Sequence, residues 1–302
     1  MLVKKMIILS LFTLSVIYAN SGLLKGLTDI VDSAEKQKIE KQKVLNYAFK
    51  QRMRTQLIAR DVLLILTCFN TDFYKKRAIT NAEAFNENFH KLIDSKKDIE
   101  RAKKLDPNFA KKLEELTLIW SKFYESVKSI SKDHKDKKSI QFVIDNNMKL
   151  LENIEYIFSS FIRSYQSKDK LEASMAHIKS MLYTQVGKPR MYINQIIKNK
   201  LSVKEGINPE ESQKNIQKSI KDMDKLMKAL KDGDKELELS GTEDRAILEK
   251  LAISQKIWEE AKELLKKRRL TKDEWLTLVE KNDLLIKAQT EVVKLTRASN
   301  DN

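Results

Sequence analysis

An arginine stands twice where an apolar residue belongs. Leu45, Ala48, Arg52, Thr55, Ala59, Val62, Leu66 and Phe69 follow one another at steps of three and four. That is the rhythm of an inward-facing heptad seam. Tyr183, Val186, Arg190, Ile193 and Ile197 repeat it, with Arg190 in the place of Arg52. A guanidinium stays charged, and an unpaired one in a helical seam is strongly disfavoured. Its compensation must come from a carboxylate on a facing helix or from a bound anion. The planar, two-forked donor matches a planar oxyanion such as nitrate or nitrite, or a carboxylate. Most helical arginines are solvated or salt-bridged. Recurrence at one seam position is what singles out this pair.

The chemistry implied is binding. The sequence has no Ser-His-Asp context, no glycine-rich phosphate loop and no CxxC motif. His90, His134 and His177 lack metal-ligand spacing. Glu114-Glu115 and Glu259-Glu260 are adjacent pairs, whose members point in different directions on a helix. The expectation is a chain that is not an enzyme, with no metal and no cofactor. Trp120, Trp258, Met53 and Met191 read as packing residues.

The recurrence of the arginine belongs to a longer duplication. Phe49 to Arg60 aligns with Gly187 to Lys198 at an offset of 138. The same offset pairs Phe85 with Met223, Phe89 with Met227, Leu92 with Leu230, Asp94 with Asp232, Leu113 with Leu251 and Ile119 with Ile257. It also pairs Trp120 with Trp258, two of only three tryptophans. After a small gap, Asn147-Met-Lys-Leu-Leu151 aligns with Asn282-Asp-Leu-Leu-Ile286.

The elements that must position the arginines are helices. Gly is only 6 and Pro only 3 among 302 residues, while helix formers dominate, and 41% apolar content is enough to bury a core. The expected fold is all-α: two tandem antiparallel four-helix bundles, linked by a long shared helix. The first copy spans 20–166, with helices near 28–70, 77–100, 108–131 and 137–165. The second spans 167–302, with helices near 168–201, 209–232, 243–267 and 272–298. Asp106-Pro107 and Asn208-Pro209 place a capping side chain before proline. Thr271 with Glu274 forms a capping box, and Gly233 and Gly241 bracket a loop. Ile140, Ile144, Met148, Leu151, Ile154, Phe158 and Phe161 make one packed stripe.

Residues 1–19 read as a cleavable signal peptide. Lys4 and Lys5 precede an apolar run from Met6 to Val16, then Tyr18-Ala19. That run is about 12 residues, against about 20 needed to span a bilayer. The mature chain is therefore expected in the periplasm or secreted, with no stable membrane span; an uncleaved anchor is the alternative. The net charge of +15 would suggest nucleic acid in another compartment. Here lysines alternate with acids and no stacking aromatics are interleaved with a basic block, so no nucleic-acid partner is expected. The single cysteine, Cys68, reads as a buried thiol.

Lys50-Gln-Arg-Met-Arg-Thr-Gln-Leu-Ile-Ala-Arg60 resembles the Gly-Arg-Gln-Arg-Met-x-Ser-Gln-x-x-Ala-Lys signature of PilJ/NarX-type sensor domains. These are periplasmic four-helix bundles at the front of chemoreceptors and nitrate-responsive kinases. The ends of the second helices (Phe89 to Ser95, Met227 to Gly233) and the Asn-x-x-Leu-Leu start of the fourth helix, Asn147 to Leu151 in the first copy, are similar too. The resemblance implies that Arg52 and Arg190 contact an anion where two bundles meet, with Thr55 and Gln56 standing for the Ser-Gln pair. The sequence departs from the signature in places. Phe49 replaces the glycine that the second copy keeps as Gly187, and Ile193-Asn194 replaces Ser-Gln. Pro189 precedes Arg190 and is expected to kink or break the helix. Two geometries remain open. The copies form one pseudo-two-fold pocket holding both arginines, or they stack end to end with the arginines apart, and a homodimer completes the site. The family's output elements are not found before the polar end Ala298 to Asn302, which implies action through an envelope receptor or signalling partner.

Three functions follow: a sensor-type binding protein for a small anionic ligand, a structural or adaptor protein of the envelope with its arginines salt-bridged, and a cationic binder of anionic surfaces.

Overall fold

A computed structural model describes residues 51–67, 70–164 and 170–301, without the side chains of 162, 170–181, 183, 184, 300 and 301. The signal peptide, Phe49, Cys68 and the continuity of the shared helix across 165–169 lie outside the described residues. Everything described belongs to one compact unit, Leu45–Asn302.

The fold is all-α. α1 covers 51–66 of the described chain. Then follow α2 (Thr71–Ile93), α3 (Lys96–Leu105), α4 (Phe109–Lys132), α5 (Lys137–Ser164), α6 (Lys170–Lys204), α7 (Pro209–Asp232), α8 (Arg245–Lys266) and α9 (Lys272–Asp301). In the first half α4 packs on α2 and α5, and α3 packs on α5; in the second, α9 packs on α6 and α8, and α7 on α6.

The halves repeat each other in detail. α2 and α7 both start after an asparagine held left-handed: Asn70 at φ 41°, ψ 56° and Asn208 at φ 45°, ψ 53°. Asparagine tolerates this region better than most residues. Phe109, Leu116, Trp120, Phe123 and Val127 are buried on α4; their counterparts Ile247, Ser254, Trp258, Ala261 and Leu265 are buried on α8. Each large apolar side chain so buried contributes roughly 1.5–3 kcal/mol relative to exposure. Trp120 Nε1 donates to Asn86 Oδ1 at 3.0 Å, and Trp258 Nε1 to Asp224 Oδ1 at 2.6 Å. Donor and acceptor both shift by the same offset.

Two departures from the expected helices are informative. The predicted helix over 77–100 starts at Thr71 and ends at Ile93; the chain restarts as α3 after Ser95, whose hydroxyl bonds Asp98. Asp94-Ser95 is the local stop signal, since both side chains compete for backbone groups. Pro189 does not break α6, which continues from Lys170 to Lys204. Proline costs about 3 kcal/mol in a helix interior. Dense burial on both sides of it, from Gln185 and Val186 through Ser202, holds the helix together.

The first helix of each half is buried more deeply than a seam requires. Every residue of 55–65 and of 193–202 is buried. A helix buried on all faces is a core helix. The halves also meet reciprocally. Arg60 of α1 reaches Asp283 of α9 at 3.0 Å, and Lys198 of α6 reaches Asn147 of α5 at 2.8 Å. Gln195 of α6 adds a weak contact to Met148 Sδ at 3.7 Å.

Candidate anion site

Arg52 and Arg190 are buried to the same degree, each 8% exposed. Their surroundings differ. Arg52 Nε lies 3.5 Å from Glu155 Oε1 on α5. Burial lowers the Arg52 pKa, and Glu155 works against that shift. Arg190 Nη1 lies 3.5 Å from Thr290 Oγ1 on α9, the limit of a hydrogen bond. In the fourth helices, where Asn147 matches Asn282, Thr290 is the position equivalent to Glu155. The second half keeps the arginine and replaces its carboxylate by a hydroxyl. Thr290 donates its own proton to Ile286 O at 2.7 Å, so a lone pair faces the guanidinium.

Among the described residues, no carboxylate comes within ion-pair distance of Arg190, and its Nε has no hydrogen-bond partner. Its pKa is lowered to about 10, first by burial and then by the positive charge of Arg297. At neutral pH it remains a buried cation beside a second cation. A monovalent oxyanion there would satisfy an N–H fork and relieve both effects.

The other two candidates stay in the first half. Thr55 is fully buried and donates to Arg52 O at 2.9 Å, within its own helix. Gln56 Nε2 makes a long 3.5 Å contact to Thr55 Oγ1, and its Oε1 has no partner among the described residues. Its counterpart Asn194 donates to Arg190 O at 2.8 Å and leaves Oδ1 unpartnered. Arg52 and Glu155 act electrostatically on Lys188, and Glu155 on Tyr192, the residues two before and two after Arg190.

A second polar layer lies two turns further along each central helix. In the first half, Asp61 accepts from Arg60 at 3.1 Å and from Arg77 at 2.6 and 2.7 Å. Asp283 accepts from Arg60 at 3.0 Å and Arg77 at 2.9 Å. Two arginines and two aspartates thus balance, and Arg77 also lies over the Phe73 and Tyr74 rings. The equivalent residues are Lys198, Asn199 and Asn215 in the second half and, for Asp283, Met148 of α5 in the first. Among these only the cation Lys198 survives. Lys198 is 4% exposed, bonds Asn147 Oδ1, and has its pKa lowered to about 8 by burial. The sequence signal for this layer is the Arg60-Asp61 dyad at the head of the apolar run Val62 to Ile65. Asp283, Glu155 and Thr290 carry no signal of their own. They become visible only once helices from distant parts of the chain meet.

No known protein family, curated protein or solved structure matches the chain.

Proposed function

We propose that the protein is an exported helical sensor-type binding protein of the PilJ/NarX kind, built as two tandem bundles. In this reading its second half holds a small oxyanion, nitrate or nitrite, at Arg190 and presents that state to a partner. One observation carries the reading: Arg190 is as buried as Arg52 but faces Thr290 where Arg52 faces Glu155. Thr55 and Gln56 are not part of this site.

Isothermal titration of the mature protein with nitrate and nitrite tests it. Binding should persist in Arg52→Ala and vanish in Arg190→Ala. Thr290→Glu should also abolish it, because an internal carboxylate then competes for the guanidinium. Absence of heat at millimolar nitrate and nitrite, or unchanged binding in Arg190→Ala, overturns the anion reading. An adaptor role is favoured by a different observation, the Arg52–Glu155 pair, which neutralises the first seam arginine internally. A wild type that binds neither anion would leave the adaptor role standing.

A further inference from the structure

The second half contains a pocket of about 470 Å3, half open to solvent, beside the 233–244 loop, lined by Leu230, Ile247, Leu251 and Val292 with Ser240 and Thr296 at its polar side. The first half shows what occupies that place when it is full. Ile247 corresponds to Phe109 and Thr296 to Phe161. Those two phenylalanines are fully buried and pack edge to face, with ring centroids 5.2 Å apart and planes at 83°. Ser240 corresponds to Ala102, which is fully buried on α3, a helix packed against α5. The second half therefore removes two aromatic rings and a covering helix from one spot.

Truncated core side chains leave a void only when the surroundings cannot collapse into it. Here the covering loop is pinned. Gly233 and Gly241 have φ of +88° and +78°, a region that side chains rarely adopt. A Cβ on Gly241 would come within 2.8 Å of Gly233 N and Lys231 O. Asp234 and Leu239 pair backbone to backbone at 2.8 and 2.9 Å, and Asp244 caps α8 through Ala246 N and Ile247 N. The lining contains the carboxylates of Glu243 and Asp244 and no lysine or arginine. That composition disfavours an anion, in contrast to the Arg190 site.

We propose that this cavity is a second ligand site, for a small molecule with one aromatic ring and a hydroxyl or amine. The ring takes the space of the missing phenylalanine rings against Ile247, Leu251 and Val292. The polar group lies toward Ser240, Thr242 and the acidic side of the mouth. Cavities of this size and mixed lining are within the ordinary range of small-molecule sites. None of Arg190, Thr290 and Arg297 lines it, so the proposal stands apart from the anion reading.

The test uses the full mature chain with phenol and benzylamine as probes and benzoate as the anionic comparison. Phenol and benzylamine should bind by calorimetry and raise the thermal midpoint by several degrees at saturation, and benzoate should bind more weakly than either. Ile247→Phe should weaken phenol by roughly tenfold or more, as a filled cavity excludes its ligand, while Ile247→Leu keeps it. Ser240→Cys gives a readout that does not depend on a core change. Phenol should slow modification of the introduced thiol, followed by peptide mass. No binding of either probe, equal binding in folded Ile247→Phe, or no slowing at position 240 overturns the proposal.

Discussion

The two halves place a cation at the same two buried positions and compensate them in opposite ways. In the first half Arg52 meets Glu155, and Arg60 shares Asp61 and Asp283 with Arg77. In the second half Arg190 meets Thr290, and Lys198 meets Asn147. Away from the pocket by the 233–244 loop, packing repeats between the halves down to the Trp120–Asn86 and Trp258–Asp224 bonds. Around the buried cations it is polar compensation that changed, and it changed at both layers. A buried pair is weak evidence for stability, but a buried cation without its acid is disfavoured by several kcal/mol unless something else supplies the charge. On the proposed reading, the first half is closed structure and the second is the half that holds an anion.

The largest effect should come from opening the closed half. Asp61 is fully buried and serves Arg60 and Arg77 together. Asp61→Asn leaves the buried Arg60 guanidinium and the partly buried one of Arg77 with one partly exposed aspartate. It should destabilise the protein by about 3–5 kcal/mol, measured by chemical denaturation. The matching change in the second half, Asn199→Asp, adds an acid beside Lys198 and should not destabilise. Equal losses in the two variants would show that the halves are balanced alike after all.

Relieving the open half should have a smaller effect with the reverse sign. Lys198 titrates near 8 in the fold, against an ordinary value of 10.5. Between those values the unfolded chain binds more protons than the folded one, so this site makes stability rise with pH. Below about pH 8 both states are protonated and its penalty is constant. That penalty amounts to roughly 3 kcal/mol, and the loss of the Asn147 contact offsets part of it. Lys198→Met should therefore gain roughly 1–2 kcal/mol at pH 7. It should also flatten the stability profile between pH 8 and 10 relative to the wild type. An unchanged profile would mean that Lys198 is already compensated.

How these differences relate to the sequence is instructive. The offset, the paired tryptophans, the α7 boundaries and the burial of Arg52 and Arg190 follow from residue types and spacing, because helical periodicity is a local property. The start of α2 did not, because a left-handed asparagine with no cap bond leaves only a weak mark. The persistence of α6 through Pro189 did not either, because burial on both sides outweighs a local penalty. The partners of the arginines were not legible at all. Glu155 and Thr290 are ordinary polar residues on helices that present many, and only tertiary packing selects which one faces the cation.

The smallest stability effect should carry the most information about binding. Glu155 has a side chain 38% exposed, so its pair with Arg52 is partly screened and worth about 1 kcal/mol or less. Glu155→Thr gives the first half the residue that the second already has. Stability should fall by no more than that amount, since the arginine keeps its other surroundings. Calorimetry with nitrate should then show a second binding event that the wild type lacks, lost again on adding Arg52→Ala. If Thr at this position is what makes a seam arginine available, the two halves become alike by one substitution. If Glu155→Thr loses stability but gains no anion, the difference between Arg52 and Arg190 lies outside their facing residue. The neighbouring charge Arg297 would then be the element of the second half that decides it.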